Sequence, residues 1–110
     1  MIKILIKPLS INEAYTGQRR CTSKYRNYKM HLNSMLPSKL DLPKPPFVIY
    51  FEFGLSSKAS DGDNCIKATQ DCISNKYGFN DKLIKRWVVD AVNVKKGEEY
   101  FKFKIENLTK

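Results

Sequence analysis

Four stretches of the chain have the hydrophobic pattern of β-strands. Residues 2–6 and 101–106 alternate apolar and polar side chains with a period of two, which is typical of strands with one buried face. Residues 47–53, FVIYFEF, are β-branched or aromatic almost throughout and predict a buried strand. Residues 87–94 are rich in valine and predict another strand. A turn at residues 95–97 separates the last two.

Two further stretches have the period of an amphipathic helix. The first has Thr22 as a suitable N-cap and Pro37 just after its end. Its apolar side chains recur at helical spacing: Tyr25, Tyr28, Leu32 and Met35 or Leu36. The second covers residues 64–76 and ends near Gly78. Its apolar stripe consists of Cys65, Ile66, Thr69, Cys72 and Ile73.

The elements therefore follow in the order β-α-β-α-β-β, with residues 55–60 as a loop. This order predicts an α+β fold with a small mixed sheet and two main helices. A length of 110 residues fits one domain, residues 1–110. No apolar run approaches the roughly 20 residues of a membrane helix, and the lysine-containing N-terminus does not resemble a signal peptide. We expect a cytoplasmic protein without membrane contact.

Cysteine and histidine are too few for the usual zinc sites. The chain has three cysteines without a CxxC pair, and one histidine. Cys65 and Cys72 are seven residues apart and would share one face of the second helix, so we expect them to be buried thiols.

Positive charge is concentrated in the front of the chain. The formal net charge is +9. Residues 1–45 contain nine lysines and arginines and two acidic residues, against eleven and nine in the remainder. A basic front half combined with an acid-bearing back half favours a polyanionic partner, and nucleic acid is the obvious one.

Several carboxylates occur between residues 60 and 81. Asp61 and Asp63 lead into the second helix, and Asp81 follows it. Carboxylates held close together repel one another unless a cation neutralises them, and magnesium prefers oxygen ligands and phosphate. Lys67 lies one helical turn after Asp63, where its ammonium group could offset charge on a phosphate. These residues predict a magnesium site that acts on phosphodiesters.

Other interpretations of these residues remain open. Asp61 or Asp63 could simply cap the helix, Asp63 and Lys67 could form an ordinary ion pair, and Asp71 is expected to be structural. A calcium loop is excluded because Cys65, Ile66 and Cys72 stand where such a loop needs oxygen ligands and glycine. A helix of about 13 residues is roughly 20 Å long. Asp81 can therefore join Asp63 only if the chain folds back along the helix, or if a second subunit supplies it.

The pattern Asp61-x-Asp63-Asn64-x-x-Lys67-x-x-x-Asp71, followed by Asn80-Asp81, resembles the signature of the RusA family of Holliday-junction endonucleases. The likeness extends over most of the chain. It includes Lys7-Pro8, then Asn12, Tyr15, Arg19 and Arg20, and then Thr22 before a helix with Tyr25 and Tyr28.

This resemblance implies a homodimer that requires magnesium, or manganese as a substitute, and cuts four-way DNA junctions. By position, Asp61, Asp63 and Asp81 are the implied catalytic and metal-binding carboxylates, and Lys67 is the implied catalytic lysine. Family members commonly have two adjacent acids where this chain has Asn80-Asp81, which lowers the charge. We expect phosphate contacts from five basic residues: Arg19, Arg20, Lys24, Arg26 and Lys29. Tyr15 could stack at an opened junction centre, or it could simply pack in the core or in its loop.

The sequence thus predicts an endodeoxyribonuclease that resolves four-way junctions. Paired symmetric nicks by a two-fold dimer would leave 5′-phosphate and 3′-hydroxyl ends. The alternatives are a nuclease that prefers flaps or forks, and a DNA-binding protein without catalytic activity. Proteins of this size and family often come from phages or prophages, so a bacterial cell is the expected setting.

Overall fold

Four strands and two α-helices form the part of the chain that the computed structural model describes, residues 1–10, 22–56 and 65–109. The α+β class and the predicted order of elements are confirmed. In chain order the elements are β1 (Ile2–Ile4), α1 (Ser23–Met35), β2 (Phe47–Leu55), α2 (Ile66–Tyr77), a 3₁₀ turn (Asp81–Leu83), β3 (Ile84–Asn93) and β4 (Tyr100–Asn107).

The strands form one mixed sheet in the order β1-β4-β2-β3. The central strand β4 is antiparallel to both of its neighbours, with Phe103 opposite Ile2 on one side and Phe51 on the other. The strands β2 and β3 are parallel, because α2 crosses between them and returns the chain to the same end of the sheet. Among the described strands, β3 and the three-residue β1 lie at the edges of this sheet.

The core lies between one face of the sheet and the two helices. Alternate residues of β2 and β4, such as Phe51 and Phe103, are almost completely buried on that face. Tyr28 of α1 and Thr69 of α2 meet there, with their hydroxyl oxygens 2.8 Å apart. The sheet-facing side chains of the helices belong to the same core: Tyr25, Leu32, Leu36, Cys65, Ala68, Cys72 and Ile73.

Local sequence explains where the helices begin and end. The Thr22 hydroxyl accepts a hydrogen bond from the Tyr25 backbone N–H at 3.1 Å, which confirms the predicted N-cap of α1. Gly78 has φ +70°, a left-handed conformation that suits glycine, and its N–H donates to the Ser74 carbonyl. Cys65 and Cys72 are buried as predicted, whereas Cys21 lies outside the described residues.

Several predicted boundaries are wrong, and β1, for example, ends at Ile4 rather than at residue 6. The strand β2 extends through Gly54 and Leu55, beyond its predicted end, because Gly54 pairs with Tyr100 of β4 and Leu55 with Asn93 of β3. The strand β3 begins at Ile84, three residues before the predicted start at Trp87. Its early part is charged and exposed, which an edge strand tolerates because only one side of it is paired.

The face of the sheet opposite the helices carries tyrosines and charged side chains. The Tyr100 hydroxyl donates to a Glu52 carboxylate oxygen at 2.6 Å. The Nζ atom of Lys102 lies 3.5 Å from the same oxygen, and that of Lys3 lies 4.6 Å from the centroid of the Tyr100 ring. The hydrogen bond from Tyr100, reinforced by Lys102, lowers the pKa of Glu52, so this carboxylate stays ionised under the outer lysines.

Candidate active site and nucleic-acid surface

The beginning of α2 presents Lys67 to solvent. Its Nζ atom lies 3.6 Å from Oδ2 of Asp71, one turn further along, and the Lys67 side chain is 57% exposed. The hydroxyl of Tyr25 on α1 donates to the same Asp71 oxygen at 3.5 Å. An exposed ion pair of this kind contributes little to stability, at most about 1 kcal/mol. The Lys67 ammonium group can therefore turn towards a phosphate at little cost, while Asp71 joins the two helices.

An open cavity lies beside Lys67, against the edge of the sheet. It has a volume of about 340 Å³ and is lined by Lys67, Ile66, Gln70 and Trp87. The indole N–H of Trp87 donates to the Gln70 side-chain oxygen at 2.7 Å, which links β3 to α2. The lysine thus stands on a fixed surface next to an aromatic ring.

Asp81 occupies the first position of the 3₁₀ turn that leads into β3. The Asn80 side-chain oxygen accepts a hydrogen bond from the Lys82 N–H at 2.9 Å and caps this turn. The Asp81 carbonyl accepts from the Ile84 N–H, so the backbone around Asp81 is fixed, and its side chain is half-buried. Asn80, where the RusA family commonly has an acid, acts here as a cap.

Asp81 lies beyond the C-terminal end of α2, far from Lys67. Ten residues of helix separate Lys67 from Tyr77, about 15 Å. Ile84, just after the turn, pairs with Phe47 at the beginning of β2, so the Asp81 end of the sheet is opposite the end where β2 finishes. The chain folds back along α2 only as β3, after Asp81, which leaves a second subunit as the open route for Asp81 to reach the beginning of α2.

Five predicted site residues lie outside the described part of the chain: Asp61, Asp63, Tyr15, Arg19 and Arg20. Their assignment stays a prediction. Among residues 1–10, 22–56 and 65–109, no group of three or more histidine, cysteine, aspartate or glutamate side chains could hold a metal ion. The metal site predicted from the sequence thus depends on Asp61 and Asp63.

The predicted phosphate-binding residues of α1 differ in their surroundings. Lys24 and Arg26 are exposed, and an Arg26 guanidinium nitrogen donates to the Ser23 hydroxyl at 3.2 Å. Lys29 is half-buried, with its Nζ atom 4.1 Å from the centroid of the Tyr25 ring. A cation–π contact of this type holds the lysine against the helix. Lys24 and Arg26 are therefore better placed than Lys29 to contact a polyanion.

Lys24 also lines an open cavity between α1 and the segment after β1. The cavity has a volume of about 330 Å³, and Lys7 and His31 line it as well. Neither Lys7 nor His31 is among the phosphate-binding residues predicted from the sequence. The spacing Lys24, Asn27, His31 was the available signal, because residues three and seven positions apart share one face of a helix.

The Tyr28 hydroxyl is unsuited to acid–base chemistry although the residue lines this cavity. Burial raises its pKa well above the usual range, and the hydroxyl is engaged with Thr69. The cavity thus offers the cationic groups of Lys7 and Lys24 and the amide of Asn27, which suit the binding of phosphate.

Comparison with protein-family models and with curated proteins finds no match to this chain. None of the helices in the described segments has the length and apolar character needed to cross a membrane.

Proposed function

We propose that this protein is a magnesium-dependent endodeoxyribonuclease that cuts branched DNA, with the four-way junction as its preferred substrate. The observation that carries the proposal is the run from Asp61 to Asp81, with its resemblance to the RusA signature. The fold supports it, because α2 begins shortly after Asp61 and Asp63 in the chain and presents an exposed Lys67 in its first turn. Such an enzyme would act in the cytoplasm of a bacterial cell, and a phage or prophage origin fits its size.

Electrostatics favour a DNA substrate. The chain has a net charge of +9, and Lys7 and Lys24 meet at one cavity beside α1. Cationic side chains on a fixed surface release counterions from DNA and orient the duplex without reading its bases. Branch geometry rather than sequence would then select the substrate. Arg19 and Arg20, which precede α1 in the chain, would extend the same basic region.

Catalysis would depend on three carboxylates and one lysine. Asp61, Asp63 and Asp81 provide the oxygen ligands that magnesium prefers, and the bound ion would supply Lewis acidity to the scissile phosphate. Lys67 would bind a non-bridging phosphate oxygen as negative charge develops on it. The ion pair with Asp71 would hold the ammonium group in place until DNA arrives.

The proposed enzyme is a homodimer with shared sites. Within one subunit, about 15 Å of helix lies between Lys67 and Tyr77, and Asp81 follows beyond that end of α2. A second subunit related by a two-fold axis can present its own Asp81 to the beginning of α2. A junction with two-fold symmetry also needs two cuts at equivalent positions, which a two-fold dimer can deliver.

The decisive experiment compares Asp63→Asn with the wild-type protein on an immobile four-way junction over a magnesium titration. We expect Asp63→Asn to lose cleavage by about a hundredfold or more, by analogy with removal of a catalytic electrostatic group. Junction binding in a gel-shift assay without magnesium should persist or improve, because a charge that repels phosphate is gone. The matched control is Asp41→Asn, an exposed aspartate between α1 and β2.

Three outcomes decide the proposal. Paired symmetric nicks that vanish in Asp63→Asn and persist in Asp41→Asn support it. Equal cleavage by wild type and Asp63→Asn would show that the assignment is wrong. Junction binding without cutting at any magnesium concentration would indicate a non-catalytic DNA-binding protein, and faster cutting of flaps or forks at matched concentration would reassign the substrate.

A second variant isolates the lysine. Lys67→Ala should fold normally because the side chain is mostly exposed, and it should lose most of the cleavage rate. Lys96→Ala, in the exposed turn between β3 and β4, removes the same charge elsewhere and should cut at the wild-type rate.

A further inference from the structure

The strand β3 is a long strand at one edge of the described sheet. It has ten residues and, within the described segments, pairs only with β2. Its side chains include three exposed large hydrophobic residues: Trp87, Val88 and Val92 are 46%, 38% and 38% exposed. An edge of this kind is a template for another strand.

The usual protections of an edge strand are sparse in β3. It contains no proline, and its one irregularity lies at its beginning, where the register with β2 shifts after Ile84. From Arg86 to Asn93 the strand pairs with β2 without interruption. Proteins normally blunt an edge with prolines, bulges or rows of charge. The regular part of β3 carries only two charges, Arg86 and Asp90.

The two faces of β3 are distinct. Arg86, Val88 and Asp90 lie on the outer face, opposite Val48, Tyr50 and Glu52 of β2. Trp87 and Val89 lie on the helix face, where Trp87 contacts Gln70. Side chains alternate between the two faces along a strand. In an added antiparallel strand that keeps the helices on one side, residues of the outer face therefore meet only outer-face residues, and residues of the helix face meet only helix-face residues.

We propose that β3 pairs with β3 of a second copy of this chain, antiparallel and with the two-fold axis at Val88. In this register Arg86 of each copy lies opposite Asp90 of the other, and Val88 lies opposite Val88. On the helix face, Trp87 lies opposite Val89. Opposite charges and aromatic/β-branched pairs are favourable across antiparallel strands. The sheet becomes continuous over eight strands, with the helices of both copies on one face.

Charge complementarity identifies the occupant as a second copy. Arg86 and Asp90 form no ion pair with any described residue. Asp90 lies beside Glu52 of β2, so a cation on its other side would relieve repulsion. Both charges are equally far from Val88 along the strand, which is the spacing that self-pairing requires.

Other antiparallel registers that keep the helices of both copies on one side make less favourable side-chain pairs. A two-fold axis at Trp87 places Arg86 opposite Val88, and an axis at Val89 places Arg86 opposite Val92. Both charge pairs are lost in each case. An axis at Arg86 or at Asp90 places like charges directly opposite each other, which is destabilising.

Cysteine cross-linking tests the register. Residues directly opposite in an antiparallel pair have Cα atoms about 4.5–5.5 Å apart, within the range of a disulfide. Val88→Cys should therefore form a disulfide-linked dimer under mild oxidation. Val92→Cys is the matched control, since Val92 has the same exposure. In the proposed register the two copies of position 92 would lie about 26 Å apart along the strands, so Val92→Cys should not cross-link.

Charge exchange tests the interface by an independent route. Arg86→Glu or Asp90→Arg alone places like charges opposite each other twice, and we expect the dimer dissociation constant to rise by about tenfold or more. The double variant restores both pairs and should return to within about threefold of wild type. Sedimentation equilibrium measures the constants, and circular dichroism confirms that each variant is folded.

The proposal specifies the interface of the homodimer in the proposed function and rests on that dimer, but it does not depend on nuclease activity. A dimer that cuts junctions without β3 pairing would overturn this interface alone, and a β3-paired dimer that does not cut would overturn the nuclease alone. Cross-linking through Val88→Cys but not Val92→Cys, with rescue in the double charge variant, supports it. A wild-type protein that is monomeric at the highest concentration measured would overturn it. A dimer unaffected by either charge change, or cross-linked equally through residue 92, would also overturn it.

Discussion

Substitution of Gly54 by alanine isolates one contact of the outer sheet face. A Cβ atom at this position would lie 3.0 Å from Cζ of Tyr100 and closer still to two other carbons of the ring. The ring must therefore move, and it is held by a 2.6 Å hydrogen bond to Glu52 and by the Lys3 ammonium group. In any other strand, alanine in place of glycine would be favourable by about 0.5–1 kcal/mol.

The magnitude follows from these contacts. Displacement of Tyr100 loses a hydrogen bond to a charged group, about 1.5–3 kcal/mol, and a cation–π contact of about 0.5–1 kcal/mol. The gain from replacing glycine offsets part of this loss. We therefore expect Gly54→Ala to lower the free energy of unfolding by about 1.5–3 kcal/mol. In a Tyr100→Ala background the obstacle is absent, and Gly54→Ala should raise the free energy of unfolding by about 0.5–1 kcal/mol.

Urea unfolding followed by circular dichroism measures the effect of Gly54→Ala with and without the Tyr100 ring. It requires four proteins: wild type, Gly54→Ala, Tyr100→Ala and the double variant. The slope of the free energy against urea should be similar in all four, so that the midpoints report stability. The coupling between the two substitutions should be at least about 2 kcal/mol. If Gly54→Ala lowered the free energy of unfolding equally with and without the Tyr100 ring, the ring contact would not be the reason for glycine at this position.

Three further predictions concern the core and the edge strand. Thr69→Val removes the buried partner of the Tyr28 hydroxyl and should cost about 1–3 kcal/mol in urea unfolding, and much of this cost should vanish when Tyr28 is also replaced by phenylalanine. Burial raises the pKa of Cys72 to about 11, so the thiol ionises earlier in the unfolded chain than in the folded one. The stability contributed by the protonated thiol is present below the pKa of the unfolded chain and should be lost as the pH rises from about 8.5 to about 11. Urea unfolding midpoints should therefore fall less over this pH range in Cys72→Ala than in the wild-type protein. Trp87, the single tryptophan, should shift its emission to longer wavelength on dilution if β3 pairs with a second copy, and an unchanged spectrum across the dissociation range would contradict that pairing.

Hydrophobic periodicity predicted the elements well where local sequence determines them. Thr22 caps α1, and Tyr25, Tyr28 and Leu32 are buried on one side of it, because a helix repeats every 3.6 residues whatever lies beyond it. Of the two candidates for the last apolar position, Leu36 is buried and Met35 is 41% exposed. Gly78 ends α2 for an equally local reason, its left-handed backbone.

Features set by distant contacts could not be obtained in this way. The end of β2 at Gly54 and Leu55 depends on pairing with Tyr100 of β4 and Asn93 of β3, which lie far along the chain. The sequence also leaves the strand order open, and with it the distance between Lys67 and Asp81. That distance depends on the parallel pairing of β2 and β3, because α2 must then run along the sheet from the end near Lys67 to the end near Asp81. Asp61 and Asp63 lie outside the described residues, so their predicted metal site awaits the cleavage experiment.

The position of β4 in the sheet affects how the chain can fold during synthesis. Among the described strands, β4 is synthesised last, yet it joins β1 to β2. Ile2 can pair with Phe103 only after Phe103 has left the ribosome. Until then, the strongly apolar strand β2 (Phe47–Leu55) has one edge that β4 has not yet covered. Nascent chains should therefore engage chaperones, and folding should be slow for a protein of this size, because β4 pairs with strands about 50 and about 100 positions earlier in the chain.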